Sequence, residues 1–313
     1  SAVDWQIVDG VPTDNPPDPT IYDVNGFRGG QTDPGDDVGM WSSLALDANG
    51  HPHVAYYDYT HKGLKLASFD GTSWTVSVVE QKAGSDLGRY AKLAYLPNGN
   101  PVIAYLAVEP GTGGWSTSKV RVARGKSASP ASASDWTYED AATDKQTPCR
   151  EWLCKNGEVC DKASTQCVKP ATSCSPKCAS GTACLGDVDA GATPSCETIY
   201  DKTKLDSYPE AAGDYVSLAV TSSGALGLVY YDRIHGNLYL AKESAGKWTT
   251  LLLDGQTESG TPPTTVDTGD VGIGASLFID AKGDWHVSYV DGNKESVKYM
   301  FVKGGTTPSP AET

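Results

Sequence analysis

Two places in the chain bring together side chains able to move a proton. Asp58 is followed three residues later by His61, and Asp232 is followed by Arg233 and then His235. A carboxylate and an imidazole so close in sequence can orient one another for general acid–base chemistry. A second set, Asp37, Asp86 and Asp270, stands two residues before a glycine each time. Carboxylates gathered around one axis would repel, and a hard cation such as Ca²⁺ would relieve them. Trp41, Tyr90 and Tyr215 follow the equivalent glycine by two residues and offer faces on which a ring-shaped ligand could stack. Trp115, Arg233 and Asp291 complete the candidates for ligand contact. Each has a plainer reading beside it. Asp before a turn glycine caps its own turn, the aromatics pack between neighbouring sheets, and the histidines are polar loop residues.

The elements that must position these side chains repeat. A strand, a Gly-containing turn and a second strand occur as Ser43–Asp47, Asn49-Gly50 and His53–Asp58. The pattern returns around Asn98-Gly99, Ser223-Gly224 and Lys282-Gly283. Six residues after each turn glycine stands a tyrosine: Tyr56, Tyr105, Tyr230 and Tyr289. Period-2 alternation and Asn-Gly turns mark these as hairpin strands. Each unit supplies a third strand, and a fourth opens at Trp74, Trp136 or Trp248. The last unit lacks its tryptophan strand, whereas Trp5-Gln6-Ile7-Val8-Asp9 has no unit before it. The fold predicted is all-β, a four-bladed β-propeller closed by its N-terminal strand. The tryptophans and the four tyrosines are expected in the core, each tyrosine hydroxyl bonding a neighbouring blade.

All eight cysteines fall between Cys149 and Cys196, in two similar halves: Cys149, Cys154, Cys160 and Cys167, then Cys174, Cys178, Cys184 and Cys196. An even count in a polar, Gly- and Pro-rich stretch reads as a disulfide framework, because such a stretch cannot bury enough apolar surface to fold without staples. Pairing first to third and second to fourth within each half is expected. Zinc is the rival, but the close Cys-x2-Cys knuckles of zinc ribbons are missing. Predicted boundaries are 1–144 for the closing strand and blades one and two, 145–200 for the Cys-rich module, 201–305 for blades three and four, and 306–313 for a linker-like tail.

The net charge of −14 over 313 residues disfavours nucleic acid and acidic membrane surfaces as partners. No apolar run is long enough to insert in a membrane. Disulfides imply an oxidising compartment, hence secretion or display at the cell surface. The chain carries no Gly-x-Ser-x-Gly, His-Glu-x-x-His, P-loop or dinucleotide signature.

The run Ser68-Phe69-Asp70-Gly71-Thr72-Ser73-Trp74 resembles the Asp-box (BNR) repeat of sialidase-like propellers, shortened by one residue. In that family the box is a structural turn away from the active site, so the resemblance implies a fold rather than an activity. Sialidases use six blades and three arginines, and Arg28, Arg89 and Arg233 follow no recognisable version of that pattern. The blade count resembles hemopexin-like propellers, whose tunnel holds ions, and the cysteine stretch resembles EGF-like repeats of exported bacterial proteins. Long loops on a rigid scaffold carry function. They occur at 10–36, in the Cys module, at 108–118 and at 255–269, so the binding face is expected there. The expected role is a binding or adhesion module for a glycan or an extracellular protein. The alternative is a polysaccharide-cleaving hydrolase or lyase using Asp58 and His61 or Asp232 and His235.

Overall fold

The computed structural model describes residues 6–10, 35–110, 116–146, 157–161, 167–171, 174–186, 193–200, 212–233, 235–259 and 264–304. The chain divides into two compact units: residues 1–108, 119–142 and 212–313 form one, and residues 109–118 and 143–211 the other.

The first unit is built from antiparallel sheets whose strand order follows the sequence. The first sheet holds β1 (Val38–Leu46), β2 (Pro52–Asp58), β3 (Gly63–Phe69) and β4 (Trp74–Glu80). The second holds β5 (Asp86–Tyr95), β6 (Pro101–Pro110), β7 (Ser116–Gly125) and β8 (Trp136–Gln146). In the second unit β9 (Val159–Asp161), β10 (Cys167–Val168), β11 (Thr182–Leu185) and β12 (Ser195–Tyr200) form a small sheet in the order β10-β9-β12-β11. The first unit resumes with β13 (Ala212–Val220), β14 (Leu226–Asp232), β15 (Asn237–Ser244) and β16 (Lys247–Asp254). A hairpin of β17 (Gln256–Ser259) and β18 (Thr264–Asp267) follows. The last sheet has three strands, β19 (Val271–Ile279), β20 (Trp285–Asp291) and β21 (Ser296–Val302).

Successive sheets pack face to face, and the all-β, propeller-like reading holds. Leu64, Leu66 and Val79 of the first sheet pack with Leu87, Ile103 and Trp136 of the second. Val102, Val120 and Val122 of the second meet Val216, Leu226 and Leu228 of the third. Leu238, Leu240 and Leu253 of the third meet Val271, Trp285 and Val287 of the fourth. Two of the recurring glycines near the start of the inner strands, Gly88 and Gly272, have a steric reason. A Cβ at Gly88 would lie 2.9 Å from the Leu64 backbone, and one at Gly272 would lie 2.9 Å from Leu238 Cβ, both at positive φ.

The hydroxyls of Tyr105 and Tyr289 cross to the outer strand of a neighbouring sheet, as expected, and that of Tyr56 reaches the N-terminal segment. Tyr105 donates to Glu80, at the end of β4, which also receives Arg121 at 2.8 Å. Tyr289 donates at 2.7 Å to Asp254, at the end of β16, which also receives Lys298. Tyr56 donates at 2.7 Å to Asp9, which also receives Lys65 at 3.0 Å. The N-terminal segment therefore docks on the first sheet as a preceding outer strand would. The strand expected there is not seen: Gln6–Asp9 belong to no sheet, Trp5 lies outside the described residues, and β21 has no fourth partner among the described residues. Trp136 is buried, whereas Trp74 and Trp248 are only partly so.

In the second unit, Cys174 pairs with Cys184 and Cys178 with Cys196, the first-to-third and second-to-fourth pattern predicted for that half. Cys160 is also disulfide-bonded. Cys149 and Cys154 lie outside the described residues, and with them the pairing expected for the first half.

Candidate functional site

The proton-moving candidates are turn caps. Asp58 and Asp232 end β2 and β14 and are fully buried. One oxygen of Asp58 receives the His61 backbone N–H at 2.9 Å, and the other meets His61 Nδ1 at 3.0 Å and Lys65 Nζ at 2.8 Å. Burial alone would raise the pKa of Asp58. The hydrogen bonds from Lys65 and His61 outweigh it, and the carboxyl sits below its ordinary range. Asp232 meets His235 Nδ1 at 2.7 Å in the same way. Asp291, at the end of β20, receives the Lys294 backbone N–H at 3.0 Å. Three equivalent carboxylates thus close three equivalent turns, which is the chemistry of an Asp cap.

The three Asp-x-Gly carboxylates are placed separately. Asp86 accepts from the Tyr57 hydroxyl at 2.8 Å and from Arg89. Asp270 accepts from the Tyr231 hydroxyl at 2.6 Å. These bonds tie the entry of an inner strand to the sheet before it. Asp37 is exposed, and its carbonyl receives the Tyr59 N–H at 2.9 Å. Among the described residues the acidic group with ligand atoms close enough for a cation is instead Asp36, Asp58 and His61. There the ammonium of Lys65 already faces Asp58. The sulfur cluster of Cys174, Cys178 and Cys184 consists of disulfide-bonded cysteines.

The aromatic set is the one the fold brings together. Trp41, Tyr90 and Tyr215 occupy the same position in β1, β5 and β13, and all three have positive φ, at 51°, 56° and 52°. The fourth equivalent, Gly274 in β19, has φ 64°. Each inner strand slips register twice around this position, between Val38, Met40 and Ser43 in β1 and at the matching residues elsewhere. Such bulges re-aim a side chain out of the pleat. The ring centroids of Trp41 and Tyr90 are 4.9 Å apart, and those of Tyr90 and Tyr215 also 4.9 Å. Trp41 keeps 38% and Tyr215 37% of its surface exposed. The three rings, with Ser42, Lys92 and Gly274, line a cavity of about 200 Å³. Burial, with the charge of Asp214 nearby, pushes the Tyr90 hydroxyl up to about 12, so it is a neutral donor at physiological pH.

A bulky residue at left-handed φ costs on the order of 1–3 kcal/mol and persists where the surroundings impose it. Three such residues at one repeated position, out of six non-glycine residues with positive φ among those described, mark this as the candidate site. Arg233 is near it: its Nε is buried and 3.8 Å from Asp214. Trp115 lies outside the described residues. The carboxylates Asp9, Glu80 and Asp254 went unnoticed in sequence. Their signal is an acid near the end of each tryptophan-led strand.

No family model matches the chain, and no curated protein matches it. Solved structures do match at low similarity. A GH43 β-1,3-galactosidase solved with galactodeoxynojirimycin is 11% identical with a TM-score of 0.39, over 86% of this chain and 77% of that one. An α-L-arabinofuranosidase from Lactobacillus brevis is 9% identical with a TM-score of 0.29, over 88% and 95%. A protein of unknown function from Dyadobacter fermentans is 11% identical with a TM-score of 0.34, over 86% and 79%. The functional reading therefore rests on the geometry of the site itself.

Proposed function

We propose that the chain is an extracytoplasmic binding module that recognises a glycan at the cavity lined by Trp41, Tyr90 and Tyr215. The observation that carries this reading is the repeated left-handed backbone at three aromatic residues around one cavity. Aromatic rings with a polar tip suit ligands that present both an apolar face and hydroxyls. The disulfides fit an oxidising compartment. Asp58 and Asp232 are engaged in turns, which favours binding over cleavage.

The ring is closed, in this reading, by the N-terminal strand adding to β21 as the fourth strand of the last blade. Asp9 supports it, because its bonds to Tyr56, Lys65 and the Gly10 N–H repeat those of Asp254 to Tyr289, Lys298 and the Gly255 N–H.

The test is a panel of immobilised glycans with and without Ca²⁺, scored for retention and for released product. Retention that Trp41→Gly or Tyr215→Gly abolishes supports the binding module. Product release lost in Asp232→Asn would replace it with the enzyme. No retention of any glycan would overturn it.

A further inference from the structure

Four inner strands carry one repeated left-handed position, and three of the four hold aromatic rings. The fourth holds Gly274, which is exposed, and nothing lies within 4 Å of where its Cβ would stand. The sister positions show that the backbone accepts Trp or Tyr at almost the same φ, so glycine is not required there by conformation. What its absent side chain leaves is room. The cavity beside it contains the three rings and one charged lining residue, Lys92, which is exposed and sits two residues after Tyr90.

We infer that Gly274 is the socket of the site, and that a single neutral pyranose at the end of a glycan chain fills the place of the fourth aromatic ring. This rests on the glycan-binding reading and specifies it. Size sets the first limit. At about 200 Å³ the cavity is smaller than the roughly 300–1,000 Å³ of pockets for drug-sized ligands, so it takes one ring rather than several. Geometry sets the second. A sugar inside a chain must leave in two directions, whereas a chain end leaves in one, which suits a cavity walled by four inner strands. Chemistry sets the third. The apolar faces of a pyranose meet Trp41 and Tyr215, and its hydroxyls meet the Ser42 hydroxyl and the Lys92 ammonium. Lys92 would attract a carboxylate, but it is exposed and screened by water and salt, and against the net charge of −14 a neutral sugar is preferred to a uronate.

The experiment fills the socket. Gly274→Trp and Gly274→Ala are prepared with the wild type, and each is checked by circular dichroism and thermal melting. Binding is followed by tryptophan fluorescence against the neutral oligosaccharide retained best by the wild type. Its uronate-ended counterpart and an endless cyclic oligosaccharide serve as controls. Gly274→Trp is expected to weaken binding at least tenfold with a melt lowered only by the strain of one left-handed residue, Gly274→Ala to leave binding within about threefold, and the cyclic sugar not to bind. Should Gly274→Trp fail to fold, Gly274→Asn, which tolerates left-handed φ, gives a smaller plug and an intermediate loss. Full binding by Gly274→Trp, with binding still lost in Trp41→Gly, would overturn the socket and leave the aromatic site standing. Equal binding of the cyclic or uronate-ended sugar would overturn the terminal neutral ring. Retention of a partner's aromatic peptide in place of every glycan would overturn both readings.

Discussion

The second and third sheets differ from the first and fourth in how their faces are covered. β6 and β14 are buried along most of their length, between packed neighbours on both sides. In the first sheet, by contrast, Leu44 is 64% and Leu46 56% exposed. In the fourth, Phe278 and Tyr299 are more than 60% exposed and Phe301 nearly half. Three interfaces carry an apolar cluster, and the first and fourth sheets each turn an apolar face to solvent. Contiguous exposed aromatics of this kind mark a surface that meets something. At the edge of the first sheet the tyrosine, carboxylate and cation that join buried sheets are assembled on Asp9, the arrangement that the proposed closure uses. The difference teaches that this scaffold joins its sheets by two devices, area and a charged clamp. At the first sheet's outer side the clamp is present without the area.

The sharpest way to break this comparison is to remove the clamp where area is also present. Glu80→Ala strips the acceptor from Tyr105 and Arg121, whose side chain is 8% exposed. The variant removes two hydrogen bonds to a charged acceptor, while Arg121 keeps Asp140 at 2.8 Å, at a cost of about 3 kcal/mol. Chemical denaturation should show a loss of that order, and Glu80→Gln should recover part of it. A loss below about 1 kcal/mol would mean that packing alone joins the sheets.

The next variant asks whether the exposed faces stay exposed in solution. Closure by the N-terminal strand predicts that Phe301 becomes core, so Phe301→Ser should cost about 3 kcal/mol, the low end for truncating a core aromatic. A residue that remains on the surface would change stability by no more than about 0.5 kcal/mol. Hydrogen exchange of the β21 amides in the wild type checks the same point without a substitution, since a paired edge is protected and a free one is not.

These tests also locate what the sequence made legible. Alternation and the Asn-Gly turns revealed the strands, and the tyrosine six residues after each turn glycine revealed the inter-sheet bond, because both signals are local and repeat at fixed spacing. The clamp's carboxylates were hidden because their spacing drifts: Asp9 is four residues after Trp5, whereas Glu80 and Asp254 are six after Trp74 and Trp248. Asp58 and Asp232 have a local sequence that serves a buried Asp cap and an acid–base pair alike, and the structure adds the burial of both and the backbone bond that caps the turn at Asp58. The aromatic site was half legible. Trp41, Tyr90 and Tyr215 stood out as a repeated position, and Gly274, two residues after Gly272, was open to the same reading, but the left-handed backbone is a property of the bulge, which no spacing records.

A smaller effect is expected at that site. Replacing a core aromatic by a small residue usually costs about 3–5 kcal/mol. Tyr215→Gly also releases backbone strain on the order of 1–3 kcal/mol and removes a ring already over one-third exposed. Its net effect on stability should stay near 1 kcal/mol while glycan retention disappears. A full core-sized loss would make Tyr215 a packing residue rather than a binding one.

The smallest effect separates the two halves of the comparison by pH. Burial on its own raises the pKa values of Asp9 and Asp254. The bonds from Tyr56 and Lys65, and from Lys298, Tyr289 and Thr268, outweigh it, and both carboxyls lie below their ordinary 3.8. A carboxyl more acidic in the folded state than in the unfolded one binds fewer protons when folded. Its contribution is therefore complete above the unfolded value and is lost as pH falls through the folded one. Melting temperature should decline below about pH 4, and Asp254→Asn should flatten part of that decline. Asp9→Asn should flatten it equally if the N-terminal strand is held as firmly as β16. A flattening in Asp254→Asn alone would show that Asp9 is loosely held, and would remove the clamp as support for ring closure.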